Sequence, residues 1–429
     1  MRPWTKSRPS PTASTSSCAS SRPATSRTDA GAELLTPAEA DAAIAAALAP
    51  VSQETVPLAA CAGRVLRAAL RAERDAPPFH RVAMDGIAIR AGSGRNRFRV
   101  AGVQAAGTPA LQLTSPDDCF EVMTGAILPG GCDTVVPVEQ IKLAGGTAEL
   151  LDGVEPTPWR HVHRQASDAR SGDVLLATGV RLAGPELAVA ASSGLAALPV
   201  SREPRIAVIS TGDELVEPGT PILAHQVRRS NAYGLAAALA LAGFSPRISL
   251  HLPDREDALA KALGDALERH DVLVLSGGVS AGRFDYVPRV LAALGARQVL
   301  HGIAQRPGRP MWFGTGAQGQ AVFALPGNPV SVLVCLARYV IPALGRLVDL
   351  PPRTPPTVVL AQEFAFEKPL VFFLPVALSY DQQGRAMAEP RPTGGSGDFI
   401  ALAGTDGFVE LPCGPARHRA GLAVPFYRW

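Results

Sequence analysis

From residue 204 to about residue 348 the chain alternates short apolar runs with amphipathic helical stretches. The runs at 205–210, 247–252, 271–275 and 321–325 read as buried strands. The stretches at 231–242, 255–269, 286–294 and 329–344 read as helices. Parallel strands need a long crossover, and a helix that makes it must cover the sheet. The repeat therefore predicts an α/β domain with a mostly parallel sheet covered on both faces. Sheets of this kind bind ligands beyond the carboxyl ends of their strands. Here those ends read Ser210-Thr211-Gly212-Asp213-Glu214, Leu252-Pro253-Asp254, Ser276-Gly277-Gly278-Val279-Ser280 and Leu325-Pro326-Gly327-Asn328-Pro329-Val330-Ser331. One small, polar or acidic loop is ordinary. Four in succession read as a site.

The residue types in these loops suit phosphates and a hard cation. Glycines let the backbone approach a ligand, and N–H groups are left unpaired where a strand gives way to a helix. The stretch from Ser276 to Asp285 has this form. Asp213, Glu214, Asp254 and Asp285 offer carboxylates of the kind that hold Mg²⁺. Ser280 and Ser331 offer hydroxyls for an oxyanion. Arg306-Pro307-Gly308-Arg309 adds two guanidinium forks. No phosphate-binding G-x-x-x-x-G-K-[ST] is present, and no G-x-G-x-x-G follows the first strand, which disfavours a dinucleotide oxidoreductase.

The flanking sequence differs. Residues 1–32 are rich in Ser, Thr, Pro and Arg, with no acid before Asp29, and read as a disordered tail. Thr36-Pro37-Ala38-Glu39 predicts a capped helix running to about Leu48. Residues 65–74 read as a second helix or an extended arm. Residues 98–151 alternate as short strands, with Asp85-Gly86 a turn before them and Thr124-Gly125 a turn within them. His161 and His163 lack a third ligand nearby, which argues against a metal pair. A helix is expected at 182–195. After a stiff Pro351–Pro356 linker, residues 357–429 read as a small β-barrel or sandwich, whose Arg391–Asp398 loop is long enough to reach a neighbouring site.

Composition narrows the function classes. At 429 residues the chain exceeds one domain, and 47% apolar with 18% charged residues is globular. A net charge of +3 gives no reason to expect nucleic acid or an anionic membrane surface. No run reaches about 18 apolar residues. Six scattered cysteines without a C-x-x-C pair suit a reducing cytoplasm.

These motifs, in this order, resemble the molybdopterin molybdenumtransferase family, MoeA and the gephyrin E domain. The resemblance covers roughly residues 33–429. It rests on Pro77 to Gly86, Met123 to Ala126, Ser210 to Leu215, Ser276 to Ser280 with Asp285, and Leu325 to Ser331. It implies an L-shaped homodimer of four-domain subunits: a split linker domain (33–71 and 172–203), a β-rich domain (72–171), the α/β domain (204–350) and a C-terminal β-barrel (351–429). It implies Mg²⁺-dependent insertion of molybdate into adenylylated molybdopterin, with release of AMP and molybdenum cofactor, in the cytoplasm. The pathway's molybdopterin adenylyltransferase and the molybdoenzyme apoproteins are the implied partners.

By the same resemblance Asp85, Thr124, Asp168, Glu214, Asp254 and Asp285 are catalytic positions, Asp85 and Thr124 being supplied by the partner subunit. Asp213, Glu214 and Asp285 are the metal positions. Thr211, Gly212, Ser276, Gly277, Gly278, Ser280, Arg306, Arg309, Pro326, Gly327, Asn328 and Ser331 are the substrate positions. The chain departs from the family in three places. Arg306 and Arg309 replace the usual lysines, His301-Gly302 stands where a lysine is common, and Arg229-Ser230-Asn231 replaces Asp-[Thr/Ser]-Asn. A non-catalytic paralogue that carries or senses molybdopterin is the alternative.

Overall fold

A computed structural model describes residues 34–279 and 286–429. The predicted tail, and Ser280 and Asp285 with it, lie outside the described residues. The chain forms two compact units. One comprises residues up to 48, 205–344 and 353–429; the other comprises 49–204 and 345–352.

In the first unit the four apolar runs form the parallel strands Ile248–Leu252, Ile206–Thr211, Val272–Ser276 and Ala321–Leu325, in that order across the sheet. Ser210 lies level with His251 and Ser276, and Ser276 with Leu325, so these strands end on one rim. Leu259, Leu263 and Leu291 from two helices pack with Ile209, Leu275 and Ala324 in a single buried cluster. Each such leucine contributes about 2 kcal/mol by leaving water. Two antiparallel strands that the apolar pattern does not announce, Trp312–Thr315 and Arg297–His301, extend the sheet. The latter, Arg-Gln-Val-Leu-His, is an edge strand with one wet face and lacks a continuous apolar run.

The helix Pro37–Ala47 carries the predicted capping box: Glu39 N–H donates to Thr36 Oγ1, and Thr36 N–H to Glu39 Oε2. A longer helix runs from Pro329 to Leu347 through a π-turn at Leu336–Val340. It is long and apolar enough on average to cross a membrane, although Arg338 and Arg346 interrupt its apolar run, and 67% of its most apolar 18-residue stretch is buried inside the protein. Its buried Arg338 pairs with Asp41 and Glu410, which marks a core helix.

Residues 357–429 form the expected barrel. Val371–Tyr380 pairs with Ala386–Pro390 and with Gly407–Leu411, and Thr357–Leu360 and Ala423–Arg428 close the circle. Gln305–Arg306 adds to it as a short parallel strand beside Val371 and Phe372. The arginine loop is therefore fastened to the barrel. On the short Arg417–His418 strand, His418 is buried, and both of its ring nitrogens lack a partner among the described residues. Burial holds its pKa below the ordinary imidazole value. The unfolded chain takes up this proton below about pH 6.5 while the folded chain resists it. Stability is thus expected to fall as pH drops from 7 towards 5. His418→Leu should flatten that slope in thermal unfolding measured across the same range.

In the second unit a mixed six-stranded sheet runs Thr134–Pro137, Gly86–Ile89, Asp118–Val122, Arg97–Gln104, Thr147–Leu150, Ile141–Ala144. Gln53–Pro57 pairs with Ala197–Ser201, which joins the segments on either side of this sheet in sequence. Residues 65–74 are extended, not helical. Val65 and Leu66 bridge to Arg181 and Val200, and Leu70–Arg71 pairs with Val174–Leu176. Buried Val65, Leu66 and Leu70 are held by these bridges, and β-branched Val65 suits the extended state. The helix expected at 182–195 is Gly184–Ser192.

Candidate active site

The four strand-end loops of the first unit enclose one cavity of about 780 Å³. Thr211, Gly212, Glu214, Asp254, Ser276, Gly277, Gly278, Gly327 and Asn328 all line it. The loops are also tied to one another. Asn231 Nδ2 donates to Gly327 O at 2.8 Å, and Asn328 Nδ2 to Ser396 Oγ at 2.8 Å. Gly397 and Phe399 line the same space, so the barrel's long loop reaches it as its length suggests.

The inner wall is built for a ligand. Thr211 is 5% exposed, and its hydroxyl has no hydrogen-bond partner among the described residues. A buried hydroxyl left unpaired costs about 1–3 kcal/mol unless something supplies a partner. It sits against Gly277 and Gly278. A Cβ on Gly277 (φ +100°) would lie 2.7 Å from Thr211 O and 2.8 Å from Thr211 Oγ1. Gly277→Ala is therefore expected to cost about 1–3 kcal/mol in strain and to displace the hydroxyl. A lower melting point in thermal unfolding would show the strain.

Glu214 and Asp254 line this cavity, as do Arg228 and Arg229. Asp213 is turned differently: its Oδ1 accepts the Asp254 N–H at 3.2 Å. Among the described residues no three acidic, imidazole or thiol groups gather as a ready metal cluster. Mg²⁺ does not need one, since it keeps waters and binds through one or two carboxylates plus substrate phosphates. The oxygen-only donor set of Glu214, Asp254 and the Thr211 hydroxyl suits that ion.

Arg229, where a carboxylate was expected, is 7% exposed. Its guanidinium donates to Ser249 Oγ at 2.6 Å and Leu250 O at 2.9 Å, and pairs with Glu217. Tyr233 OH donates to the same Glu217 at 3.1 Å. Arg229 holds the Glu217 carboxyl below its usual range. Most of the added positive charge is therefore neutralised within the wall.

The other described substrate positions do not line this cavity. Ser331 is buried in the first turn of its helix, and neither it nor Pro326 nor Arg309 lines the cavity. Arg306 lines a second cavity of about 350 Å³, with Lys368, Phe366, Phe372 and Thr393–Ser396. Its place there follows from the pairing of its short strand with the barrel. The loop around residues 393–399 walls both cavities. Arg306 and Arg309 are exposed and form no ion pair among the described residues.

In the second unit Asp85 and Thr124 meet directly. Thr124 N–H and Oγ1–H both donate to Asp85 Oδ1, at 2.6 and 2.7 Å. These two bonds hold the Asp85 carboxyl below its usual range. Asp168 accepts from His163 at 2.7 Å and from Ser167 at 3.1 Å, and the His163 bond is the main cause of its lowered pKa.

Residues 35–194 match the description "MoeA N-terminal region (domain I and II)", residues 207–346 "Probable molybdopterin binding domain", and residues 357–429 "MoeA C-terminal region (domain IV)". A Synechocystis protein named molybdopterin molybdenumtransferase is 43% identical over 371 residues, 86% of this chain and 93% of its own length. The chain belongs to the MoeA family. A Bacillus subtilis protein of the same name is 30% identical over 84% of this chain and 86% of its own length. The crystal structure of the molybdopterin biosynthesis MoeA protein from Pyrococcus horikoshii superposes with a TM-score of 0.77 at 26% identity, covering 92% of this chain and 100% of that one.

Within this MoeA chain the strand-end motifs locate most of the cavity wall. They do not point to Arg228, Arg229 or Phe399, which line it too. Nor do they point to His163, which bonds Asp168 in the other unit, or to Arg81, which bonds His163.

Proposed function

We propose that this protein inserts molybdate into the dithiolene of adenylylated molybdopterin and cleaves the phosphoanhydride, releasing AMP and molybdenum cofactor. One observation carries the reading. The cavity at the strand ends combines a buried Thr211 hydroxyl without a partner among the described residues, glycine backbone from three loops, and the acidic residues Glu214 and Asp254. A nucleotide pyrophosphate meets N–H groups and hydroxyls there, while two carboxylates serve a phosphate only through a cation. Glu214 and Asp254 would hold Mg²⁺, which neutralises phosphate charge when bound. The chain's own groups position the substrate while an oxygen nucleophile, such as water, cleaves the phosphoanhydride, and the work is chiefly orientation and electrostatics.

The oxyanion reading of Arg306 and Arg309 is supported by their exposure and by the second cavity, which shares a loop with the first. Molybdate, a dianion, suits two guanidinium groups that form no ion pair among the described residues. The proposed enzyme acts as a cytoplasmic homodimer, with Asp85 and Thr124 serving the site of the partner subunit. It receives its substrate from an adenylyltransferase and delivers its product to molybdoenzyme apoproteins. The alternative of a non-catalytic molybdopterin carrier gains no support from the cavity, where Glu214 and Asp254 are both retained.

Purified protein supplied with adenylylated molybdopterin, molybdate and Mg²⁺ should release AMP stoichiometrically with cofactor that activates an apo-molybdoenzyme. Tight pterin binding without AMP release would establish the carrier instead. Light scattering on the same sample should give twice the chain mass.

A further inference from the structure

Arg81 lies on the short strand Arg81–Val82, directly opposite His163 on Val162–His163. Its Nη2 is 2.9 Å from His163 Nδ1, and His163 Nε2 is 2.7 Å from Asp168 Oδ1. A guanidinium can only donate. Nδ1 must therefore accept, and the single proton of the neutral imidazole must sit on Nε2, where it donates to Asp168. Ser167 Oγ donates to the same Oδ1 at 3.1 Å. Among the described residues no donor reaches Oδ2, so the outer oxygen of this half-exposed carboxylate is left for a ligand.

The backbone holds the arrangement from behind. Asp168 N–H donates to Ala76 O at 2.9 Å and Ala166 N–H to Pro77 O at 3.1 Å, with Ala166 itself in the left-handed region (φ +58°). The Arg81–Val82 strand also carries the other acid pair. Val82 N–H donates to Ala126 O and Gly125 N–H to Val82 O, both at 2.9 Å, which fixes the turn bearing Thr124. The Asp85–Thr124 contact and the Asp168–His163 contact thus hang from opposite sides of one two-residue strand.

The geometry points to His163 as a positioning residue for Asp168: Arg81 selects its tautomer, and the imidazole fixes the carboxylate so that Oδ2 faces a ligand. The inference rests on the reading of Asp168 as a working acid of the proposed reaction. His163 is not a metal ligand in this role, since both of its nitrogens are engaged. Its own exposure, and the 54% exposure of the Asp168 side chain, mean that packing alone does not hold the pair. The hydrogen bonds do.

Four variants of the full chain test this: Asp168→Asn, His163→Phe, His163→Gln and Arg81→Met. Glutamine can accept from Arg81 through its carbonyl and donate to Asp168 through its amide. His163→Phe should lower kcat for AMP release about tenfold to a hundredfold, leave KM little changed and keep the wild-type melting point. His163→Gln should recover most of that loss. Nitrogen-15 spectra of histidine-labelled protein, with the His163 signal assigned by its absence in His163→Gln, should show an Nε2–H tautomer that becomes mixed in Arg81→Met. Wild-type turnover in His163→Phe alongside a dead Asp168→Asn would overturn the positioning role alone, as would an Nδ1–H tautomer. Wild-type turnover in Asp168→Asn would overturn the reading of Asp168 and the positioning role together.

Discussion

Replacing Arg338 with methionine should lower the stability of the first unit by about 3 kcal/mol, a fall of several degrees in its melting point. Arg338 is buried in the π-turn. Its Nη1 reaches both oxygens of Asp41 at 2.9 and 2.8 Å, and its Nε reaches Glu410 at 2.9 Å. The rings of Tyr339 and Tyr427 each lie 5.0 Å from the guanidinium carbon, and Tyr427 OH donates to Glu410 at 2.9 Å. Burial alone would push the Arg338 pKa down, but Glu410, Tyr339 and Asp41 outweigh it and raise the pKa, so the group stays charged. Methionine fills most of the volume yet leaves the largely buried Glu410 without its cation, which is the costly half of breaking such a pair. The half-exposed Asp41 loses less. Lysine in place of Arg338 keeps the charge but not the fork, and should fall between the two. The same turn holds the arginine loop, since Tyr339 OH bonds Gln305, whose Nε2 donates to Pro307 O at 3.2 Å. Arg338→Met should therefore also weaken molybdate binding. A melting point within a degree of wild type would show that the triad contributes nothing net.

Why the strand-end cavity could be read in the sequence and the arginine triad could not follows from how each is encoded. Parallel strands are continuous apolar runs, and their ends are the glycines, serines and acids that follow, so the site motifs sit beside the signal that builds the sheet. The Thr36 capping box is equally local. Arg338 lies 297 residues from Asp41 and 72 from Glu410, and nothing near it in sequence names either partner. Arg81 and His163 are 82 residues apart and meet only because two two-residue strands pair, with the six-stranded sheet lying between them in sequence. Residues 65–74 were ambiguous for a related reason. Their apolar spacing suits a helix as well as an arm, and only Val174–Leu176 and Val200, far along the chain, decide it. The arginine loop shows the limit for motifs as well. Arg306 and Arg309 are visible as charges, but the barrel strand beside Gln305–Arg306 determines where Arg306 points. Arg229 shows it again, because its charge reads as a loss at the site until Glu217, Ser249 and Leu250 are seen to absorb it.

Glu214→Gln and Asp254→Asn should each lower AMP release by about 10²–10³-fold, with little change in melting point. Both residues line the cavity, and each substitution keeps shape while removing charge. If these carboxylates only shaped the wall, an isosteric amide would serve as well. If they faced the substrate's phosphates directly, removing negative charge would strengthen binding. Only a cation between carboxylate and phosphate makes the loss of charge harmful, so the three possibilities predict different signs. The decisive measurement is the rate at increasing Mg²⁺. The variants should need higher Mg²⁺ for half-maximal rate, and Glu214→Gln with Asp254→Asn should be far less than additive because both act on one ion. Gly212 sets the position of one of them. A Cβ there would lie 2.6 Å from Glu214 Oε2, so the carboxylate rests on the bare backbone of the loop that also presents Thr211. Gly212→Ala should therefore mimic Glu214→Gln in its Mg²⁺ dependence although it removes no charge. If Gly212→Ala lowers the rate without changing that dependence, Glu214 is held by something other than this contact.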